Sequence, residues 1–347
     1  MYRSGFISNG KESMKNGVIN VYKEAGMTSF QVVYQIRKLT GEKKIGHTGT
    51  LDPDATGVLP VCIGKATKLV DSLMDSDKQY RATMLFGRKT DTQDISGKTL
   101  ESMENSELHR ILKEKDQALS IESSNSSVPG IFTETFRQFT GKIEQLPPMY
   151  SAVKVGGVKL VDAARKGREI ERKERPAVIY SIEDIHISGW ENNEEALTAE
   201  FTVNCSKGTY IRTLCEDMGA YLGIPACMEK LERTRTSGMD LSSAHTLSEI
   251  QNAKEEGRLE EMIIPTDRFL INFPSLTVTD EAVRKLLFGN YLSEEEIETK
   301  EESEEGRYRV YDKHGSFYAL YYYDKKDHWY KCEKMFVDEP QASGMKK

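Results

Sequence analysis

Between Gly46 and Pro53 the chain reads Gly-His-Thr-Gly-Thr-Leu-Asp-Pro. Glycines and a proline packed this closely break both helix and strand, so the stretch is a shaped loop. It carries a single acid, Asp52, and is followed by Gly57-Val58-Leu59-Pro60-Val61-Cys62-Ile63-Gly64, an apolar run short enough to be a buried strand or helix entry. A lone carboxylate on a shaped loop anchored to a buried element is a common way of presenting a catalytic acid. The same residues also suit a plain turn in which Asp52 bonds its own backbone before Pro53. A second chemically rich stretch is Cys205-Ser206-Lys207-Gly208-Thr209-Tyr210-Ile211-Arg212-Thr213. Read as a strand-like segment, it puts Tyr210 and Arg212 on one side and Ile211 on the other. Cys205 has no histidine-bearing catalytic pattern beside it and reads as a small buried residue.

The frame that positions these groups is bounded by length and charge. A chain of 347 residues suits one large domain and one small one. The formal net charge of -7 opposes nonspecific coating of nucleic acid, but the excess sits in one place. Glu294, Glu295, Glu296, Glu298, Glu301, Glu302, Glu304 and Glu305 face only Lys300, and eight minus one accounts for all seven charges. The five cysteines are widely spaced with no C-x-x-C pair, which suits reduced thiols and indicates no metal site. The N-terminal stretch has no apolar signal-like core and no eighteen apolar residues run together, so a cytoplasmic, soluble protein is expected.

In chain order, residues 1–16 read as a loose polar extension. Val18 to Tyr22 has strand character, and a helix entered at Thr28 or Ser29 places Phe30, Val33, Ile36 and Leu39 at helical spacing before Gly41. Ala66 to Met74 reads as helix and Tyr80 to Phe86 as strand. Residues 101–128, serine-rich and poor in apolar side chains, read as a helical or mobile surface excursion. Pro147 and Pro148 hold Met149-Tyr150-Ser151 extended. From Lys154 to Arg175, eight basic residues, Lys154, Arg165, Lys166 and Arg168 among them, outnumber four acids, the footprint of phosphate contact or else a solvated ion-paired helix. Val178 to Trp190 and Glu195 to Asn204 alternate as antiparallel strands. Beyond Pro274 a small β-rich unit with one early helix is expected; its tyrosines either stack on bases or fill a core, and its acidic run is a solvated hairpin tip or disordered loop.

The string GHTGTLDPDATGVLPVCIGKATKL, together with GRKTDTQDISG, QLPPMYSAVK, CSKGTYIRT and the MEKLERTR segment, resembles the signatures of the TruB family of bacterial tRNA pseudouridine-55 synthases. That resemblance implies an α+β catalytic domain over 17–270 with a mainly antiparallel mixed sheet, an insertion at 101–128, an RNA-binding thumb near 129–175, and a PUA-like RNA-binding domain over 271–340. It also implies Asp52 as catalytic residue, Tyr80 against the target base, Arg212 and Tyr210 beside it, Leu231 as an apolar wall, and His47 filling the gap left by a flipped base. Glu24 stands where the family has proline, Val161 where it has tyrosine, and Glu232 where it has a basic residue.

The implied chemistry detaches uracil from its sugar, turns it and rejoins it through carbon, so no cofactor is required. It needs an ionised carboxylate, a cation that keeps it ionised in a dry pocket, and a flat side chain to hold the loose base; Asp52, Arg212 and Tyr80 are of those types. A uridine in a folded loop must be flipped out to react. The implied partner is the T stem-loop of tRNA, read largely by shape, by a protein acting as a monomer. Two alternatives stand beside this: a guide-RNA-dependent synthase subunit, which the bacterial-type PPMYSAVKVGG segment opposes, and a noncatalytic tRNA-binding or folding protein, in which Asp52 or Arg212 would be lost.

Overall fold

The β-branched run Gly17–Lys23 lies deep in a ten-stranded sheet, and the computed structural model describes residues 16–119, 128–303 and 306–337 around it. The main path of the sheet runs Ile264–Pro265, Gly17–Lys23, Thr56–Ile63, Ala226–Thr236, Lys78–Phe86, Thr198–Cys205, Arg175–Ser188, Gly141–Gln145, with Ile45–His47 and Met239–Asp240 attached off it. Among the described strands of this sheet, every strand pairing is antiparallel except one. Thr56–Ile63 meets Ala226–Thr236 in parallel, with Glu232 opposite Thr56 and Arg233 opposite Gly57. The strands approach so closely there that a Cβ on Gly57, at φ +102°, would lie 2.2 Å from the Arg233 carbonyl oxygen, so only glycine fits. This one parallel contact brings the end of the Asp52 loop against Arg233.

Helices cover the sheet through apolar clusters. Ile211–Leu222 and Gly130–Gln138 pack with Tyr80, Ala82, Met84 and Phe86, while Ser29–Thr40 packs over Ile19, Val21, Leu59 and Val61. The helix Ser29–Thr40 begins in a capping box of Thr28 and Gln31 and ends at Gly41 with φ 70°, as its sequence indicates. Its buried stripe differs from the expected one. Ser29, Val32, Val33 and Ile36 face inward, and Phe30 is 71 % exposed, because the inward position at the start of the helix is taken by the Ser29 hydroxyl.

Three further expectations are corrected. The 101–128 stretch is not a surface excursion as far as it is described: its helix Asn105–Ala118 buries Leu108, His109 and Leu112, and Lys115 donates to the Leu222 carbonyl at 2.6 Å to cap a neighbouring helix; residues 120–127 lie outside the described residues. Its low average hydropathy conceals two leucines a helical turn apart. Asn16, assigned to the loose extension, accepts from the Lys65 backbone N–H at 2.7 Å and donates to the Phe336 carbonyl at 3.1 Å; residues 1–15 lie outside the described residues. The acidic run is structured through Lys300: Glu294–Glu296 forms a 3-10 turn, Ile297–Lys300 is an edge strand, and Glu294 and Glu296 pair with Lys300 and Lys285; Glu304 and Glu305 lie outside the described residues.

The C-terminal unit is β-rich as expected, a five-stranded sheet ordered Ile297–Lys300, Ser275–Val278, Arg307–Tyr311, Phe317–Asp324, Trp329–Met335, with the helix Asp280–Leu287. Tyr308, Tyr321 and Tyr330 fill its core, the Tyr308 and Tyr330 rings meeting edge-on at 5.7 Å. Leu320 and Phe336 join a cluster with Val18, Val58 and Cys62, which docks this unit on the large sheet.

Candidate active site

The Asp52 loop is tied down at both ends by polar groups that sequence reading missed. On one side the Ser29 hydroxyl accepts from the Leu51 N–H at 2.9 Å and donates to the Leu51 carbonyl at 3.2 Å. On the other the Lys23 ammonium, completely buried, donates to the carbonyls of Glu24, Pro53 and Ala55 at 3.0, 2.8 and 2.6 Å. Asp52 closes the turn through its own carbonyl, which accepts from Ala55 N–H at 3.2 Å. Its carboxylate is left to face Arg212.

Arg212 meets that carboxylate with two donors, Nε to Oδ2 at 3.0 Å and Nη2 to Oδ1 at 3.2 Å. The guanidinium is aimed by two further carbonyls, Tyr150 at 2.9 Å and Thr92 at 3.1 Å, and Asp94 lies 3.8 Å away. These partners come from GRKTDTQDISG and PPMYSAVK, so three sequence-distant segments converge on one side chain. The strand-like reading of this stretch is corrected: Tyr210 is an extended N-terminal cap and Ile211–Leu222 is helix, with Leu214 N–H bonding the Tyr210 carbonyl at 3.0 Å. The cap itself is fixed by Gln145, which accepts from Tyr210 N–H at 2.9 Å and donates to its carbonyl at 3.1 Å.

Burial pushes the Asp52 carboxyl above its ordinary value; Arg212 and Lys23 pull it down, and Asp94 and Asp54 add to the rise. Just over a third of the side chain, 36 %, still reaches solvent, so the group is shielded but open to a substrate. Burial also brings the Lys23 ammonium down to about 8, with Asp54 and Asp52 opposing. An unfolded lysine holds its proton to about pH 10.4, so this group makes folding stability rise with pH between about 8 and 10.4. Lys23→Met should abolish that contribution and, by leaving three carbonyls without their donor, destabilise the protein by about 2–4 kcal/mol at pH 7. Urea unfolding of both proteins at pH 7 and pH 9.5 measures it: the stability gap should widen at the higher pH, and an unchanged gap would remove the assigned role.

A further buried cation beside the Asp52 loop is Arg233, 1 % exposed, which was also missed. Its Nε donates to the Val58 carbonyl at 2.7 Å and its Nη2 to the Gly49 carbonyl at 3.1 Å, so one guanidinium holds the chain before and after Asp52. Burial pushes the Tyr80 phenol up, and the neighbouring Arg233 charge opposes that rise, so the phenol stays protonated at neutral pH. Tyr80 and Arg233 are cross-strand partners. Leu231 lies two residues earlier on the same strand and packs against the cluster containing Tyr80. His47 ends the strand Ile45–His47; its Nδ1 accepts from Gly49 N–H at 3.3 Å, and burial with the Arg233 charge keeps the imidazole below its ordinary range. Tyr210, whose phenol burial also pushes up, completes the group near Asp52 and Arg212.

The candidate RNA contacts lie apart from this centre. Lys154 stands in a short hairpin, Arg165 at the end of the helix Leu160–Ala164, and Lys166 and Arg168 just after it, all exposed. Lys154, Arg172, Lys173 and Arg175 line a cleft of about 530 Å³ with apolar walls from Val153, Val155, Leu160 and Ile170. Arg172 donates to the Pro147 carbonyl at 3.0 Å, joining this face to the segment that carries Tyr150.

The ion pair of Asp52 with Arg212 lies in the segments that carry the family resemblance, and comparison with known proteins shows the family. Residues 37–120 and 111–211 match the family described as TruB family pseudouridylate synthase (N terminal domain), and residues 212–271 match the tRNA pseudouridylate synthase B C-terminal domain. A protein of Clostridium perfringens (strain SM101 / Type A) named tRNA pseudouridine synthase B is 40 % identical over 329 residues, covering 93 % of this chain and 100 % of its own. Its namesake in Limosilactobacillus reuteri is 39 % identical over 322 residues, covering 93 % and 99 %. The chain belongs to the TruB family of pseudouridine synthases. Among solved structures, a Cbf5-Nop10-Gar1 complex contains a chain 26 % identical with TM-score 0.61, covering 93 % of this chain and 85 % of that one. An H/ACA RNP bound to a substrate RNA containing 2'-deoxyuridine contains one 24 % identical with TM-score 0.61, covering 93 % and 86 %, a likeness of fold. No helix among the described residues is long and apolar enough to cross a membrane.

Proposed function

We propose that this protein isomerises uridine to pseudouridine at position 55 in the T arm of tRNA, acting alone, as a cytoplasmic monomer. The observation that carries the reading is the two-donor pairing of a partly exposed Asp52 with the buried Arg212. Asp52 is the catalytic carboxylate. Arg212 favours its ionised form against burial, which favours the protonated one, and the fixed guanidinium needs no reorganisation as charge shifts during reaction. Tyr80 supports the detached uracil as it turns, Leu231 closes the apolar side, and Tyr210 bounds the pocket next to Arg212. His47, neutral and held by its own loop, fills the space the flipped uridine leaves in the RNA. The C–N bond to the sugar breaks, a C–C bond to uracil C5 forms, and the C5 proton is lost to solvent while N1 gains one, so no redox or group-transfer partner enters.

The thumb residues Lys154, Arg165, Lys166 and Arg168 bind RNA phosphates, and the C-terminal unit is a PUA-like domain contributing to the RNA surface. Arg165→Ala, Lys166→Ala and Arg168→Ala combined should weaken tRNA affinity and reduce the slope of log affinity against log salt by about one to three. Filter binding between 50 and 200 mM salt reads this, and an unchanged slope would move the docking surface elsewhere.

The likeness to Cbf5 favours a second reading, a guide-RNA-dependent subunit, and one assay separates them. Purified protein alone, given unmodified tRNA tritiated at uracil C5, should release one tritium per molecule, lost when uridine 55 is replaced by cytidine. Release only with an added guide RNA would support the second reading, and none at all a noncatalytic binder.

A further inference from the structure

We propose that the outer face of the helix Ser29–Thr40 is a stacking platform for unpaired bases of the same RNA substrate, with Phe30 and Tyr34 as its stacking rings; this rests on the RNA-modifying function proposed above. Phe30 is 71 % exposed and Tyr34 48 %, and the two are four residues apart, on one side of the helix. Lys38, another four residues on, holds its ammonium 4.7 Å from the Tyr34 ring centre. Together they form an aromatic-aromatic-cation track about 12 Å long on a rigid element. Its near end is at the chemistry, since Ser29, adjacent to Phe30, exchanges two hydrogen bonds with Leu51, and Gly26 N–H bonds the Pro53 carbonyl at 3.0 Å.

Charge identifies the occupant. Arg37 and Lys38 lie in the last turn, and exposed Lys43 and Lys44 follow Gly41. The one acid among them, Glu42, is turned to its own loop, accepting from the Lys44 N–H at 2.8 Å. Protein interface cores are depleted in lysine, whereas aromatic rings flanked by cations bind single-stranded nucleic acid by stacking bases and following phosphates. A duplex hides its base faces, so the ligand is the unpaired part of a folded RNA, reaching this helix from the uridine bound at Asp52. The platform lies on a different element from the thumb and adds a sequence-tolerant contact to it.

The test compares native protein, Phe30→Ala/Tyr34→Ala, Tyr34→Ala alone, and Phe30→Tyr/Tyr34→Phe, each by filter binding of unmodified tRNA across a salt series and by single-turnover tritium release at saturating RNA. The double alanine variant should bind at least about tenfold more weakly. Its salt slope should be unchanged, because no phosphate contact is removed, and its saturated rate should stay within about twofold of native. Tyr34→Ala, one turn further from the Asp52 loop, should show part of the loss, and the aromatic swap should restore native affinity. Undiminished affinity in the double alanine variant overturns the platform, as does a loss of affinity accompanied by a change in sedimentation, which would assign the face to a second copy of the chain. The affinity ratio is read whether or not tritium is released, so failure of the platform and failure of the isomerase reading are distinguishable.

Discussion

Arg212→Met should lower the single-turnover rate about a hundredfold to a thousandfold at neutral pH and move the acid limb of the rate profile to higher pH. The reason is the balance at Asp52, where burial raises the carboxyl and Arg212 is the strongest opposing influence. Methionine fills much of the volume but returns no charge, so the carboxyl protonates more readily and a larger share of the enzyme is inactive at a given pH. Raising the pH should recover part of the lost rate, because it restores the ionised Asp52. The carbonyls of Thr92 and Tyr150 also lose their donor, which should destabilise the fold by about 2–4 kcal/mol. Single-turnover tritium release from pH 5 to pH 9, with urea unfolding alongside, checks both effects. An acid limb coincident with that of the native protein would mean that Arg212 does not set the ionisation of Asp52.

Asp52→Asn should have the largest effect of all, and it should fall on chemistry alone. The amide keeps the size of the carboxylate and still accepts a hydrogen bond from Arg212, while the turn is closed by backbone and by Lys23, so the loop survives. Binding through phosphate and shape should change by less than about 1 kcal/mol, whereas turnover loses its reacting anion. Stability should move the other way. Because the folded protein raises the Asp52 carboxyl, the contribution of that group to stability is present in acid and is lost as pH rises through its folded value. At neutral pH the native protein therefore holds an unfavourable buried charge, offset by Arg212, and the neutral amide should be at least as stable toward urea. A site kept at a cost in stability is what a working carboxylate predicts.

The parts of this site legible in the sequence were those whose local chemistry is unusual. Gly49 and Pro53 exclude regular structure, and that isolates Asp52 on a loop, but the loop expected from Gly46 begins only after His47, because Ile45–His47 pairs as a short strand with Val61–Ile63. Arg212 was recognised as a group but not in its local structure: Thr209, Ile211 and Thr213 are β-branched and suggest strand, whereas the carbonyl of Tyr210 starts a helix whose stability comes from packing Ile211, Leu214 and Met218. Lys23 and Arg233 were passed over because charged side chains are ordinarily at the surface, and little in the local sequence marks these as buried. Arg233 had one usable signal, its even spacing from Leu231 on a strand, which puts both toward the pocket. Lys23 had only its position at the end of an apolar run beside a turn. Phe30 was misplaced inward because it continued the apolar spacing of Val33, Ile36 and Leu39; the buried Ser29 hydroxyl displaced it by a position, a choice made by the Leu51 backbone and invisible to hydropathy.

The central claim is that Asp52 is the catalyst of uridine isomerisation, and its most direct test measures two quantities on one preparation of Asp52→Asn. Filter binding of unmodified tRNA should give an affinity within about fivefold of native, corresponding to less than about 1 kcal/mol. Single-turnover release of tritium from uracil C5, on the same protein and the same RNA, should be undetectable. If the variant instead retained more than about a hundredth of the native rate, a loss below about 2.7 kcal/mol, Asp52 would not be the essential group and the assignment of this site would be contradicted.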